Sequence, residues 1–276
     1  QLFIPYAQSR PPVFLHLAFR PFPDKYLPIE EVCDNGFAVA IAVYNDITPD
    51  THFGDFSSGL AARYIKGSRS PGEWGKIGMW AYAASRVMDY LAGRTDIDSS
   101  RVAVMGHSRL GKTSLWCGAQ DERFYCVCSN DSGYGGAAIA RGGTGEVVKD
   151  FLKAGSWDWY CERFKEDVDR DSDKQYDGHM LLSLIAPRLL CVGSAQIHPG
   201  ADPPSEFLSC VAASDVYRLL GCDGLITPDE MPTAGTTLHS GRIGYHMRPG
   251  RHYLSRYDWL RYIAFIKKHS EADKPS

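Results

Sequence analysis

Short, mostly apolar runs alternate with stretches of helical periodicity along most of this chain. Val13-Phe14-Leu15-His16-Leu17 and Phe37-Ala38-Val39-Ala40-Ile41-Ala42-Val43 are bounded by turn residues, as expected of strands buried on both faces of a parallel sheet. Glu73 to Leu91 carries Trp74, Ile77, Trp80, Ala81, Ala84 and Met88 at helical spacing, and Gly93 marks its end. The alternation continues with a strand at Arg101 to Met105, a helix at Ser108 to Gln120, and strands at Phe124 to Cys128 and Arg188 to Val192. A helix near Glu206 to Leu220, a strand at Ile243 to Met247 and a closing helix complete it, while Gln1 to Tyr6 reads as the end of a strand. Ser255 with Asp258 three residues on has capping-box spacing, which leaves Arg248 to Leu254 as the loop between the last strand and the last helix. Strands alternating with helices imply an α/β fold with a mostly parallel sheet covered on both sides.

The 276 residues, 44% of them hydrophobic, are enough for one large core, and no composition shift divides them; a single domain over 1–276 is expected. A formal charge of -3 offers no basic stripe, so a nucleic-acid partner lacks electrostatic support. No apolar run reaches the roughly eighteen residues of a membrane span. Gln1-Leu2-Phe3-Ile4-Pro5 has no charged and apolar regions of a signal peptide, so a mature or trimmed product is expected. The eight cysteines form no C-x-x-C pair and read as buried free thiols, with one or two disulfides open to an exported protein. No residue cluster has metal-ligand spacing, no cofactor is called for, and the oligomeric state is not encoded in any legible pattern.

Gly106-His107-Ser108-Arg109-Leu110-Gly111-Lys112-Thr113 fits two incompatible devices. As G-x-x-x-x-G-K-[ST] it matches a phosphate-binding P-loop; as strand, Gly-x-Ser, helix it matches the nucleophile elbow of an α/β-hydrolase. A P-loop would normally open its domain, whereas here two strands and a long helix come first. An elbow needs a small residue two before its nucleophile, and Gly106 provides it; the usual second glycine is replaced by Leu110, with Gly111 one residue later. An acidic residue and then a histidine follow at the ends of later strands, in the order this fold uses.

Four segments together resemble the glucuronoyl esterases of carbohydrate esterase family 15 and their bacterial relatives. They are Gly106 to Lys112, Ser129-Asn130-Asp131-Ser132-Gly133-Tyr134-Gly135-Gly136, His179 to Arg188, and Arg248-Pro249-Gly250-Arg251-His252. The resemblance covers most of the chain in the right order and implies an α/β-hydrolase fold. Ser108 is then the expected nucleophile, needing a histidine to take its proton. His252 lies in the loop after the last strand and on the family motif; His246 sits within strand periodicity as a packed side chain, and His239 is the fallback. Asp131, just past the strand that follows the nucleophile helix, matches the place of the catalytic glutamate in fungal members. Bacterial relatives can carry the acid after the next strand, where Asp202 is the alternative.

The backbone N–H of Arg109 is the expected oxyanion donor, and the resemblance adds its guanidinium. Lys112, four residues beyond Ser108 on the same helix face, is implied to bind glucuronate hydroxyls. Glu146 and Trp159 fall in an insertion where hydrolases build their substrate cap; Trp159 reads either as a flat wall for a sugar ring or as core. Glu162 and Asp167 to Asp173 read as solvated loop. Ser194 to Pro203 departs from the family pattern, with Gln196, Ile197, His198 and Gly200 where acidic residues and a tryptophan are often found. The expectation is a serine carbohydrate esterase that cleaves glucuronoyl esters of xylan through an acyl-enzyme, secreted or periplasmic as the family implies. The alternatives are an acetyl xylan esterase, a P-loop nucleotide-binding protein, and a silent carbohydrate-binding relative should no acid reach His252.

Overall fold

The computed structural model describes residues 1–51 and 53–272, with side chains through 270. Strands β1 (Leu2–Phe3), β2 (Val13–Ala18), β3 (Ala38–Val43), β4 (Val102–His107), β5 (Cys126–Asn130), β6 (Leu189–Ala195), β7 (Thr237–Leu238) and β8 (Ile243–Arg248) form one sheet in the order β1-β3-β2-β4-β5-β6-β8-β7. All neighbours from β3 to β8 pair in parallel, and only the two-residue edge strands β1 and β7 run antiparallel. The helices are α1 (Ile29–Asp34), α2 (Tyr44–Ile47), α3 (Gly59–Tyr64), α4 (Lys76–Ala92), α5 (Arg109–Gln120), α6 (Val148–Ala154), α7 (Gly178–Ser183), α8 (Pro203–Leu219) and α9 (Arg256–Ala272).

The apolar runs are explained by two cores. Val13, Leu15 and Leu17 of β2 point to one face, where they join Trp80, Ala84 and Met88 of α4, Leu115 of α5 and Phe207 and Tyr217 of α8. Phe14 points the other way, into a core built with Val32 of α1 and Trp259, Tyr262 and Phe265 of α9. A strand buried on both sides has no reason to alternate polar and apolar residues, and β2 does not. The result is an α/β-hydrolase fold, a mostly parallel central sheet with helices on both faces.

Two helices begin elsewhere than periodicity suggests, and one loop is tied down. Helix α4 starts only at Lys76, whose ammonium is buried against Asp158 at 2.9 Å, so Trp74 precedes the helix and stands half-exposed beside Tyr64 and Tyr82. Helix α8 starts at Pro203 because Asp202 caps it, its carboxylate accepting from Ser205 N. The stretch around Asp171 is not free loop: Asp171 accepts from the Tyr134 hydroxyl at 2.6 Å and pairs with Lys174 at 2.9 Å. All eight cysteines are free thiols, and no helix among the described residues is long and apolar enough to cross a membrane.

Candidate active site

Strand β4 ends at His107, and the chain turns sharply through Ser108 into α5. Ser108 is held at φ 59° and ψ -128°, a backbone region that costs a non-glycine residue energy and recurs at functional sites. A methyl group on Gly106 would overlap the Leu110 carbonyl, so the bend admits no side chain there. Gly111 performs the second close approach: a Cβ would lie 3.0 Å from the Asn130 carbonyl, while Leu110 is fully buried. The glycine displaced by one residue therefore serves the packing of α5 onto the end of β5.

The P-loop alternative fails on the same segment. The Lys112 ammonium turns back to the Ser132 carbonyl, and the Thr113 hydroxyl donates to the Arg109 carbonyl at 2.9 Å, so neither side chain faces a phosphate cradle.

His252 reaches Ser108 across 144 residues of sequence, its Nε2 lying 2.9 Å from Ser108 Oγ. Its Nδ1 is 2.7 Å from Asp131 Oδ2, which fixes the tautomer: Nδ1–H donates to the carboxylate, leaving Nε2 to accept the serine proton. Asp131 Oδ1 accepts from the Ala195 N–H at 3.2 Å. Burial opposes the charge on Asp131, yet its contacts with His198 and His252 hold the carboxyl well below the usual range. Asp202 is committed elsewhere, accepting from Ser205 Oγ at 2.8 Å and Thr144 N at 2.5 Å. The structure thus joins His252 to Asp131, and the condition for a silent relative, an acid out of reach of the histidine, is absent.

Two residues not singled out from sequence hold these groups in place. Arg248, buried at the end of β8, donates to Pro249 O at 3.1 Å, Arg251 O at 2.7 Å and Tyr253 O, gathering the loop that presents His252. It is itself anchored by Asp258 at 2.9 Å, which also accepts from His246 Nε2 at 3.0 Å; His246 is the packed strand residue expected. On the other side, Glu206 of α8 accepts from Ser132 N at 2.8 Å, Gly133 N at 2.9 Å and Ser194 Oγ at 2.6 Å, clamping the turn after Asp131. Burial, and then the nearby charge of Asp131, push the Glu206 carboxyl up to about 7.

The Arg109 guanidinium is seated between the Asp50 carboxylate and the face of Trp159, 4.5 Å from the ring centroid. Trp159 Nε1 donates to the other oxygen of Asp50 at 2.9 Å. Trp159 is only 8% exposed, so it acts as the back of this arginine seat rather than as an open wall for a sugar. Asp50 lies in a loop with no periodic or motif signal and could not be singled out from sequence. Lys112 is buried and not on the solvated helix surface; burial lowers its pKa to about 8, opposed by Glu146 and Glu206. Glu146 is half-buried, its N–H bonded to the Gly200 carbonyl at 2.9 Å.

Among the described residues, Cys191, His239 and His246 bring one potential ligand atom each within 4.8 Å of the others, as do His107, Asp131 and His252. Burial, and then the nearby His246, Arg261 and Lys268, lower the His239 pKa, and the two cationic side chains would repel a metal ion. The second is the hydrogen-bonded site itself.

A nucleophile elbow, a Ser-His-Asp relay and a seated arginine on this sheet have the arrangement that serine hydrolases of the α/β-hydrolase class use. The family described as "Glucuronyl esterase, fungi" matches residues 65–221. The carbohydrate esterase MZ0003, from an unknown prokaryotic organism, is 43% identical over 244 residues, 87% of this chain and 55% of its own length. A 4-O-methyl-glucuronoyl methylesterase of Hypocrea jecorina is 30% identical over 186 residues, 59% of this chain and 39% of its own. The solved structure of a promiscuous esterase of carbohydrate esterase family 15 from a marine bacterial metagenome superposes with TM-score 0.87 at 37% identity, covering 97% of this chain and 76% of that one. The glucuronoyl esterase of Solibacter usitatus gives 0.86 at 34%, covering 96% and 76%. The chain belongs to the glucuronoyl esterase family, carbohydrate esterase family 15, and spans 55% and 39% of the two sequence relatives named.

Proposed function

We propose that this chain is a serine carboxylic-ester hydrolase that cleaves esters of the glucuronic acid side groups of glucuronoxylan, through an acyl-enzyme. The observation that carries the reading is the continuous relay Ser108 Oγ, His252 Nε2, His252 Nδ1, Asp131 Oδ2, at 2.9 and 2.7 Å, in a member of this family. His252 takes the hydroxyl proton as Ser108 Oγ attacks the ester carbonyl, and Asp131 stabilises the imidazolium that forms. Charge developing on the carbonyl oxygen is met by the Arg109 N–H at the start of α5 and by its guanidinium, held ready by Asp50 and Trp159. The alcohol leaves with the proton of His252, and a water activated by the same imidazole releases the acid. Lys112 and Glu146 supply charge of both signs beside the acyl site, suited to sugar hydroxyls and a uronate ring.

The relatives' names support the substrate class: the Hypocrea jecorina enzyme is named for 4-O-methyl-glucuronoyl methylesterase activity. We take the 276 residues as one catalytic domain acting outside the cytoplasm, as is typical of the family. The test compares initial rates on methyl 4-O-methyl-glucuronate and on an acetylated xylo-oligosaccharide. The uronate ester is expected to react at least about tenfold faster in kcat/KM, a difference of about 1.4 kcal/mol at the transition state. Preference for the acetate would make the chain an acetyl xylan esterase instead.

A further inference from the structure

The loop that departs from the family pattern places a second imidazole against the first. His198 stacks on His252 with ring centroids 4.0 Å apart and planes 24° from parallel. Its Nδ1 lies 3.4 Å from Asp131 Oδ1, long for a hydrogen bond but within reach of an ion pair, and finds no hydrogen-bond partner. The stack is not a loose surface contact. Gln196 N and Ile197 N donate to Arg248 O at 3.0 Å and Gly250 O at 2.9 Å, so the loop carrying His198 is tied to the loop carrying His252.

We infer that His198 is a positioning residue of the relay: its ring backs the base and it shares Asp131 with His252, so its state of charge acts on the base through the stack and through the common carboxylate. This rests on the reading of Ser108, His252 and Asp131 given above.

The charges around His198 favour its protonated form. It faces Asp131 from the turn after β5, His252 from the loop after β8, Glu146 from the cap and Glu206 from α8. Burial works against its charge, but the Asp131 contact and these carboxylates together raise its pKa above the ordinary histidine value. Lys112 of α5 is a cation within electrostatic range of Asp131. On the opposite face of His252, His107 stands 4.5 Å away and does not compete, because burial lowers its pKa to about 3.

A proton on His198 places positive charge one ring-spacing from His252 and partly neutralises Asp131. Both effects reach the neighbouring ring, so the acid limb of the activity profile is expected to depend on His198. His198→Phe keeps a stacked ring and removes the charge. The acid limb of its kcat/KM profile on methyl 4-O-methyl-glucuronate is expected to move upward by about one pH unit relative to wild type. An acid limb that stays in place, or moves to lower pH, overturns the inference. Should the phenylalanine variant lose its folded structure, ring-proton NMR titration of the wild-type protein decides: the His198 resonance is expected to titrate above the ordinary histidine value of 6.5, and titration at or below it overturns the proposal. Wild-type protein with no turnover at any pH would count against the esterase reading, while the NMR titration would still report on His198.

Discussion

Ser108 and Asp131 occupy matching places on neighbouring strands: His107 of β4 and Asn130 of β5 are register partners, and the residue after each turns into a positive φ, 59° and 53°. Sheet register therefore sets the spacing of nucleophile and acid before any side chain acts, and both project from the carboxyl edge where His252 arrives. Asp131→Asn is expected to lower kcat by about 10³–10⁴-fold, because an amide no longer fixes the tautomer or offsets the imidazolium charge. Asp202→Asn is expected to keep kcat within a few-fold of wild type and cost about 1 kcal/mol or less through a weakened helix cap. Steady-state rates on a glucuronate ester and urea unfolding of both variants check this; the opposite pattern would move the acid to Asp202.

The elbow makes a stability prediction that is independent of chemistry. Gly106→Ala puts a methyl group into the Leu110 carbonyl at the start of α5, where backbone and not a flexible side chain would have to yield. A loss of about 3 kcal/mol or more is expected, at the upper end of overpacking costs. Thermal unfolding of the variant measures it, and a melting temperature equal to wild type would contradict the tight bend.

Arg248 never touches the reacting atoms, yet it gathers the carbonyls of the loop that carries His252. Arg248→Lys keeps the charge against Asp258 but cannot reach several acceptors with one ammonium. Misplacement of the base by a fraction of an ångström should reduce kcat by about 10–100-fold while KM stays within about twofold. A change in KM alone would show that the loop serves substrate binding instead.

Glu206 gives a stability signature against pH. Its folded pKa, about 7, lies above the ordinary value of 4.5, so between those values the unfolded chain releases a proton that the folded protein keeps. The stabilising contribution is complete below 4.5 and is lost as pH rises through 7. Glu206→Gln retains an oxygen for the Ser132 and Gly133 amides and removes the titration. Its melting temperature relative to wild type should therefore rise across that interval; a constant difference between the two proteins would contradict the shifted carboxyl.

The strand and helix alternation was legible because strands buried on both faces are mostly apolar, and β2, β4 and β6, buried along their whole length, are. Ser108, Asp131 and His252 were legible because chain order, a steric requirement at Gly106 and the resemblance to the family together constrain them, and the structure brings the three together. The supports were not. Asp50 and Glu206 act through side chains that meet backbone or guanidinium partners far away in sequence, and nothing periodic marks such residues. Trp74 misled because its apolar side chain continues the helical spacing although the helix begins two residues later. Trp159 shows the same limit, since its indole could be assigned to sugar or core from sequence, and only geometry shows it seated against Asp50 and Arg109.

The central claim is that Ser108 forms the acyl-enzyme with His252 as its base, and rapid mixing of enzyme with a chromogenic alcohol ester of glucuronic acid tests it most directly. Wild-type protein should release one equivalent of alcohol per active site no more slowly than its steady-state turnover, and Ser108→Ala, folded to the same melting temperature, should release none above the uncatalysed rate. Alcohol release by the alanine variant at a rate close to wild type would contradict the account.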